Sequence, residues 1–241
     1  GIAHLLRYNL RNGHTCLARE VVAGKTAHLL RLPQEAVEEE IGCRIGREEL
    51  YSIQRNREYL FLPEFYGAEK YAAFRISLML KNRYFETRSV DGMIDKIERE
   101  KGITYESLQR EAIRQALSRS VMILTGGPGT GKTTTLNAII GLLEEEGLKI
   151  AIAAPTGRAA KRISEVTGRE AKTIHRLLEV DFSEESRDKF LHNEQNPLDA
   201  DAVVIDEMSM VDSLLFEALL RGLKLGCRLI LVGDSDQLPS V

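Results

Sequence analysis

Cysteine is scarce in this 241-residue chain, and its three copies lie far apart with no CxxC pair. The spacing of Cys16, Cys43 and Cys227 predicts neither a zinc site nor a disulfide scaffold, and it favours a reduced cytoplasmic compartment. Long apolar runs are also missing, since stretches such as 121–124 and 202–205 are far shorter than the roughly 20 residues of a membrane helix. With no signal peptide at its start, the sequence predicts a soluble cytoplasmic protein that has no membrane partner.

An excess of positive charge is missing as well. The chain has 33 Lys and Arg residues against 36 Asp and Glu residues, which gives a net charge of −3. This balance excludes a polycationic DNA condenser, although local groups of cations and backbone amides can still bind phosphate. The 43% hydrophobic and 29% charged residues are typical of a folded chain, and the length predicts one or two domains.

The first hundred residues predict a mainly helical domain over 1–100. The spacing of its first apolar residues is helical, and further helices are expected over 19–32 and from Pro33 onward. Two short runs at 49–54 and 58–62 are rich in aliphatic and aromatic residues and predict a β-hairpin. Helices followed by a hairpin indicate a winged-helix-like module, which two more helices, at 64–82 and 90–101, connect to the second half.

Two arginines, Arg55 and Arg57, occupy the expected tip of this hairpin. They could contact a phosphate backbone, or they could serve only to keep the tip in water. The second interpretation is favoured because the module has no other basic cluster.

The second half, 101–241, alternates between short apolar runs and helical stretches. Runs of this kind at 121–124, 149–153, 202–205 and 228–232 predict strands buried on both faces of a parallel sheet. We therefore expect an α/β domain with a parallel sheet after the winged-helix-like module.

The strongest motif lies directly after the first of these strands. Residues 126–133 read GGPGTGKT and fit the pattern GxxxxGK[ST] between a buried strand and a helix. Glycines allow successive backbone N–H groups to point at phosphates, and the helix start adds its positive end. We expect Lys132 to reach the β- and γ-phosphates of ATP and Thr133 to ligate Mg²⁺. The predicted nucleotide-binding residues of this loop are Gly127, Gly129, Thr130, Gly131, Lys132, Thr133 and Thr134.

A pair of carboxylates follows the strand at 202–205. Ligands bind at the carboxyl edge of open α/β sheets, and Asp206 and Glu207 are delivered to that edge. Asp206 is predicted to hold Mg²⁺ through water, and Glu207 to polarise the water that attacks the γ-phosphate. In combination with the phosphate loop, the pair favours a nucleotide hydrolase over a simple helix cap.

Other classes of P-loop protein lack support in the sequence. It contains no NKxD, which a switch GTPase would need, and no LSGGQ, which is expected of a transporter ATPase. It also lacks the lid segment of a metabolite kinase.

Five segments of the second half follow one another in the order GGPGTGKTTT (126–135), APTGRAAKR (154–162), TIHRLL (173–178), VVIDEMSMVD (203–212) and LVGDSDQLPSV (231–241). Together they resemble motifs I, Ia, Ib, II and III of superfamily 1 helicases, and this resemblance implies that the α/β domain has a RecA-like P-loop NTPase sheet. In detail the chain is similar to the RecD-like helicases, relatives of the exodeoxyribonuclease V alpha subunit. The resemblance is strong over 105–241, whereas the first hundred residues match the corresponding helical module more weakly.

The resemblance implies roles for two glutamines. Gln109 occupies the position of a glutamine that reads adenine, a role suited to an amide that can bond both edges of that base. Gln237 resembles the motif III glutamine that senses the γ-phosphate, and it is grouped with Lys132, Asp206 and Glu207 as catalytic. In the absence of the resemblance, each would be read as a surface glutamine.

The resemblance also implies contacts with the backbone of single-stranded DNA. The predicted residues lie in two loops and are Pro155, Thr156, Gly157, Arg158, Thr173 and His175, with Arg176 beside them. Hydroxyls, amides and a few cations are sufficient to position a strand without reading its bases. The simpler alternatives are a buried histidine at 175 and a plain surface cation at 158.

A short β-hairpin pin that splits the duplex is implied for residues 178–197. Two short runs, 180–182 and 189–191, could pair across the polar stretch between them. The alternative is a surface loop, because the intervening turn is longer than most hairpin loops.

The resemblance implies that motifs IV to VI and a second RecA-like domain lie beyond residue 241. That domain would supply an arginine worth about 10³- to 10⁵-fold in rate, so we expect these residues alone to be nearly inactive. The implied function is an ATP-dependent 5′-to-3′ DNA helicase in repair or recombination. The alternatives are a subunit of a helicase-nuclease complex and a DNA-binding adaptor with a nucleotide switch.

Overall fold

A computed structural model describes residues 1–82, 84, 89–127, 129–180 and 190–234, and the chain divides into two compact units. The first unit comprises Gly1–Ala72 with Asp212–Leu214, and the second comprises Ala73–Val211 and the described residues from 215 onward. The division after Ala72 comes earlier than the domain boundary at 100/101 predicted from the sequence.

The first unit consists of helices and a small antiparallel sheet. In chain order its elements are α1 (Ile2–Leu10), β1 (Cys16–Ala18), α2 (Arg19–Leu30), α3 (Gln34–Gly46), β2 (Tyr51–Gln54) and β3 (Glu58–Phe61), and α4 (Pro63–Met79) starts in this unit. The strand order is β1-β3-β2. The predicted hairpin is confirmed, since β2 and β3 pair from Tyr51 opposite Phe61 to Gln54 opposite Glu58. Strand β1 was not predicted.

Apolar side chains at helical spacing form the core of this unit. Val37 and Ile41, four residues apart on α3, are both buried and lie on one face of the helix. They pack in the same cluster as Leu60 of β3 and Val22 of α2. Burial of one face of each element holds the three helices and the sheet together.

The second unit alternates helices and strands. Its elements are α5 (Val90–Lys101), α6 (Ser107–Ser118), β4 (Val121–Thr125), α7 (Lys132–Glu145), β5 (Ile150–Ala154), α8 (Gly157–Thr167), β6 (Ala171–Thr173), α9 (Ile174–Leu178), β7 (Ala202–Ile205), α10 (Ser213–Gly222) after its first two residues, and β8 (Arg228–Gly233). A short 3-10 turn, Met208–Met210, follows β7.

The five strands of this unit form one parallel sheet in the order β4-β8-β7-β5-β6. All four residues of β7, in the middle of the sheet, are buried, which explains the uninterrupted apolar run of that strand. The α/β prediction with a RecA-like P-loop sheet is confirmed. The strand order also places β4, which leads into the phosphate loop, two positions from β7.

The packing of helix α5 explains why the boundary between the two units comes before residue 100. Its buried residues Ile94 and Ile97 belong to the same apolar cluster as Ile113 of α6 and Ile139 of α7. Ser89 caps the helix by accepting a hydrogen bond from the Gly92 backbone N–H at 3.4 Å. The apolar face of α5 is therefore covered by helices of the α/β unit.

Only the base of the predicted pin lies within the described residues. Val180 and Phe190 form an antiparallel bridge, while residues 181–189 lie outside the described part of the chain. The hairpin over 178–197 stays a prediction. Among the helices of the described residues, none is both long enough and apolar enough to cross a bilayer.

Candidate nucleotide and nucleic-acid site

The predicted functional loops meet at one edge of the parallel sheet. Thr125, the last residue of β4, lies opposite Gly233 at the end of β8, and Ala154 lies opposite Thr173 at the ends of β5 and β6. Ile205, which ends β7, lies opposite Ala153. Because the strands are parallel, the segments that follow all five of them emerge on the same side.

The phosphate loop has the backbone that its glycines predict. Gly129 and Gly131 have φ values of 77° and 78°, in the left-handed region that glycine adopts without strain. Helix α7 begins at Lys132, so its N-terminal N–H groups point into the loop. The Lys132 ammonium donates to the carbonyl oxygens of Gly126 and Gly127, the latter at 2.9 Å. The Lys132 ammonium and the N-terminus of α7 therefore lie together at this loop, which forms the phosphate cradle.

The remaining loop residues predicted to bind nucleotide lie on the same cradle. Thr133 and Thr134, in the first turn of α7, are exposed. The Thr130 hydroxyl donates to the Gly127 carbonyl at 2.9 Å and closes the loop on itself. Pro128 lies outside the described residues. The exposed Thr133 hydroxyl is accessible to a metal ion that also binds a phosphate held by the loop.

Gln109 lies beside this cradle, but its amide is engaged with protein groups. Its Oε1 accepts a hydrogen bond from the Glu106 backbone N–H at 2.9 Å as part of a capping box on α6. Its Nε2 donates to the Thr130 carbonyl at 3.4 Å. A Cβ at Gly131 would lie 2.3 Å from that Nε2, so a side chain at 131 would displace the Gln109 amide in addition to straining the left-handed backbone. The adenine-reading role of Gln109 remains a prediction.

The acidic pair lies where β7 ends. The Asp206 backbone N–H donates to the Ala153 carbonyl at 2.9 Å, which ties the end of β7 to β5. Glu207 has a φ of 53°, a left-handed conformation that is uncommon for a residue with a side chain. Its carboxylate accepts a hydrogen bond from the Arg162 guanidinium of α8, with 3.4 Å between Nη1 and Oε1.

Burial raises the pKa of the Asp206 carboxyl above its ordinary value. The Glu207 backbone N–H and the positive charges of Arg162 and Lys132 act in the opposite direction. Lys132 and Asp206 are therefore close enough to interact, although they follow different strands. A carboxylate that is costly to ionise in the folded protein is suited to a bound cation, which compensates its charge.

Asp206→Asn is expected to increase thermal stability at neutral pH without nucleotide. Because its pKa is raised, protonated Asp206 stabilises the folded state at pH values below the ordinary pKa of aspartate. This stabilisation is lost as the pH rises through the folded-state pKa. Asparagine carries no charge at any of these pH values. Unfolding followed by circular dichroism should give a higher melting temperature for the variant at neutral pH, and no difference in acid.

Asp199→Asn provides the matched control with the opposite sign. A hydrogen bond from Lys149, at 2.6 Å, lowers the pKa of the exposed Asp199 carboxyl, so its ionised form favours folding at neutral pH. The asparagine variant at 199 should be slightly less stable than the parent. Equal melting temperatures for the Asp206 variant and the parent at neutral pH would contradict the burial argument.

Two hydroxyls predicted to contact DNA act as helix caps. Thr156 Oγ1 accepts from the Ala159 N–H at 3.2 Å, and Thr173 Oγ1 accepts from the Arg176 N–H at 3.2 Å. Pro155 directly follows β5 and lies at the same edge of the sheet. The two threonines start α8 and α9, so the free N–H groups of two helices face the side on which the phosphate loop lies.

The other predicted DNA contacts are accessible. Gly157, Arg158 and His175 are all exposed, so the alternative interpretation of His175 as a buried histidine is wrong. The His175 ring lies 5.8 Å from the ring of Phe190, which belongs to the base of the predicted pin. Exposure makes these residues available to a nucleic acid, and their contact with DNA remains a prediction.

Sequence reasoning gave no role to Arg162, although it lies within the motif that was recognised. The signal that could have found it is its position four residues after Arg158, which places both cations on one face of α8. Gln237 lies outside the described residues. Within the described ranges, no three His, Cys, Asp or Glu side chains are grouped to hold a metal.

Residues 109–241 match the family described as an AAA domain, a span that begins at Gln109 and contains the phosphate loop and the acidic pair. The chain belongs to this family. Membership of this family implies that the domain binds a nucleotide.

Two relatives of this AAA-domain chain are RecD proteins. It is 39% identical over 182 residues to the ATP-dependent RecD2 DNA helicase of Deinococcus radiodurans, a match that covers 76% of this chain and 24% of that protein. It is 40% identical over 173 residues to the RecBCD enzyme subunit RecD of Mycolicibacterium smegmatis, covering 62% and 31%. The predicted resemblance to RecD-like superfamily 1 helicases is confirmed, and the chain spans less than a third of either relative.

A solved structure of Pif1 helicase from Candida albicans also overlaps the AAA-domain chain. The overlap covers 58% of this chain and 34% of that one, at 25% identity and a TM-score of 0.43.

Proposed function

We propose that this chain is the ATP-binding part of a DNA helicase that acts in repair or recombination, and that it couples ATP hydrolysis to 5′-to-3′ movement along single-stranded DNA. The observation that supports this most is the arrival of Lys132 and the Asp206–Glu207 pair at one edge of the sheet, close enough for Lys132 to influence the pKa of Asp206. A triphosphate needs both a cationic cradle and an acidic partner for its metal.

The donor groups fit ATP and Mg²⁺. The N-terminal N–H groups of α7 and the Lys132 ammonium would hold the β- and γ-phosphates. Magnesium prefers a few protein oxygens in combination with phosphate oxygens and water, and Thr133 with Asp206 offers such a set. When bound, the ion would neutralise charge that develops on the phosphates.

The proposed reaction is attack by water on the γ-phosphorus. A new P–O bond forms as the bond to the β–γ bridging oxygen breaks, and ADP leaves with the electron pair. Glu207 accepts the proton of the attacking water, while Lys132 stabilises charge on the transferred group. Gln109 would contact the base and Gln237 would sense the γ-phosphate.

The DNA strand would run over the loops that follow β5 and β6. Pro155, Gly157 and Arg158 on one loop and His175 on the other are at the surface or close to it, and the caps at Thr156 and Thr173 direct helix N–H groups toward the same side. Groups of this kind bind a phosphate backbone without selecting bases. A motor that moves along any sequence needs this kind of contact.

One further domain would complete the ATP site. A second RecA-like domain of the full-length chain would close the ATP cleft and supply an arginine, so residues 1–241 alone would hydrolyse ATP about 10³- to 10⁵-fold more slowly.

A second candidate function is a subunit of a helicase-nuclease complex, which the similarity to a RecBCD enzyme subunit favours.

The test is ATP hydrolysis and strand displacement by the full-length protein that carries this sequence. With Mg²⁺, we expect oligo(dT) to stimulate phosphate release, and a duplex with a 5′ single-stranded tail to be unwound in preference to one with a 3′ tail. Absence of ATP hydrolysis under these conditions would refute the proposal. Unwinding of the 3′-tailed duplex alone would refute only the direction.

A further inference from the structure

Arg162 links the acidic pair to the proposed DNA surface. It lies in α8, one turn after Arg158, and α8 begins in the loop proposed to bind the strand. Its guanidinium also donates to the Glu207 carboxylate across 45 positions of sequence, at 3.4 Å. The Arg162 side chain therefore connects Glu207, the proposed base, to the helix that would contact DNA.

The two partners differ in exposure. The Arg162 side chain is 71% exposed, whereas that of Glu207 is only 20% exposed. The left-handed backbone at Glu207 restricts where its carboxylate can point. Among the salt bridges of the described residues, Arg162 is the only cation paired with Glu207.

The exposed guanidinium is also a phosphate ligand. Arginine pairs with phosphate through two parallel hydrogen bonds, a stronger interaction than a single bond of 3.4 Å to a carboxylate. An ion pair with one largely exposed partner is weak enough to be exchanged. A phosphate of a strand lying along α8 can therefore take Arg162 away from Glu207.

We propose that Arg162 is a positioning residue that makes hydrolysis depend on DNA. Without DNA it holds the Glu207 carboxylate toward α8 and away from the attacking water. When a backbone phosphate binds Arg162, the carboxylate is released to orient that water. This inference rests on the proposed function, because it assumes that Glu207 is the base and that the strand lies along α8.

The test compares phosphate release by the full-length protein without DNA and with saturating oligo(dT). Arg162→Ala is expected to raise the DNA-free rate about two- to fivefold, the amount by which a weak ion pair shifts an equilibrium. The rate at saturating DNA should stay within about twofold, since the carboxylate is already released there. The stimulation by DNA therefore falls, and Arg162→Lys should restore part of it.

The matched control is Lys161→Ala on the same helix. Lys161 is 80% exposed and pairs with Glu165 at 3.9 Å, so its loss removes an equal charge without affecting Glu207. It should leave the ratio of the two rates unchanged. Arg162→Gln, which keeps a long polar side chain, should behave as Arg162→Ala does and guards against a folding defect in the alanine variant.

The possible outcomes distinguish a failure of this inference from a failure of the proposed function. If the parent protein hydrolyses ATP and responds to oligo(dT), but Arg162→Ala and Arg162→Gln leave the DNA-free rate unchanged or lower, the positioning role is wrong and the proposed function stands. The same conclusion holds if Lys161→Ala raises that rate equally. If the parent protein shows no ATP hydrolysis, both proposals are wrong.

Discussion

Lys132→Ala is expected to abolish ATP hydrolysis and strand displacement in the full-length protein, with a loss of at least about 10²- to 10³-fold. The Lys132 ammonium is the cation of the phosphate cradle, where it donates to the carbonyls of Gly126 and Gly127. Alanine leaves the N–H groups of α7 in place but removes the charge that stabilises the transferred phosphoryl group. Phosphate release over time measures the effect.

The fold should survive this substitution. Lys132 is the first residue of α7, is only half-buried and is not part of the apolar core. Alanine is also a good helix former. The circular dichroism spectrum and the melting temperature should therefore stay close to those of the parent protein.

Lys149→Ala is the matched control for charge removal. Lys149 directly precedes β5, at the amino edge of the same sheet, and its ammonium pairs with Asp199 at 2.6 Å. Its loss should leave hydrolysis nearly unchanged. A Lys132→Ala variant that still unwinds DNA at the parent rate would refute the assignment of the loop as an ATP site.

Glu207→Gln is expected to bind ATP but to hydrolyse it about 10²- to 10⁴-fold more slowly. The amide has nearly the shape of the carboxylate but cannot accept the proton of the attacking water. In the proposed site, nucleotide binding depends on the loop after β4 and on Asp206, and these groups remain. Fluorescent-ATP titration and single-turnover phosphate release separate the two effects.

Glu165→Gln is the control for this second change. Glu165 is an exposed carboxylate on α8, paired only loosely with Lys161 at 3.9 Å. Its replacement should leave both binding and hydrolysis intact. Normal turnover by the Glu207 variant would show that another group serves as the base.

Local sequence was sufficient for the longer elements. The apolar runs at 121–124 and 202–205 predicted β4 and β7 within a residue, and the glycine pattern predicted where α7 starts. Strands β1 and β6 were missed because each has only three residues, too few for a strand pattern to be recognised. Ala171–Thr173 forms a strand because it pairs with β5 in the folded chain. Its own residue types do not favour a strand strongly enough to predict one.

Side-chain roles were harder to predict than elements. The DNA contacts of Thr156 and Thr173 that the resemblance implies stay predictions, and the structure adds that their hydroxyls cap α8 and α9. The adenine-reading role of Gln109 stays a prediction, and the structure adds that its amide connects the start of α6 to the phosphate loop. A polar side chain near a helix start has several partners within reach, and sequence alone does not choose between them.

The amino-acid sequence by itself determined the phosphate loop, the acidic pair and the alternation that makes a parallel sheet, because these depend on residue types at short and regular spacing. Only the tertiary structure decided the order of the strands, the burial that raises the pKa of Asp206, and the pairing of Arg162 with Glu207. Those features arise between residues tens of positions apart, which come together only when the apolar faces of the strands and helices are buried.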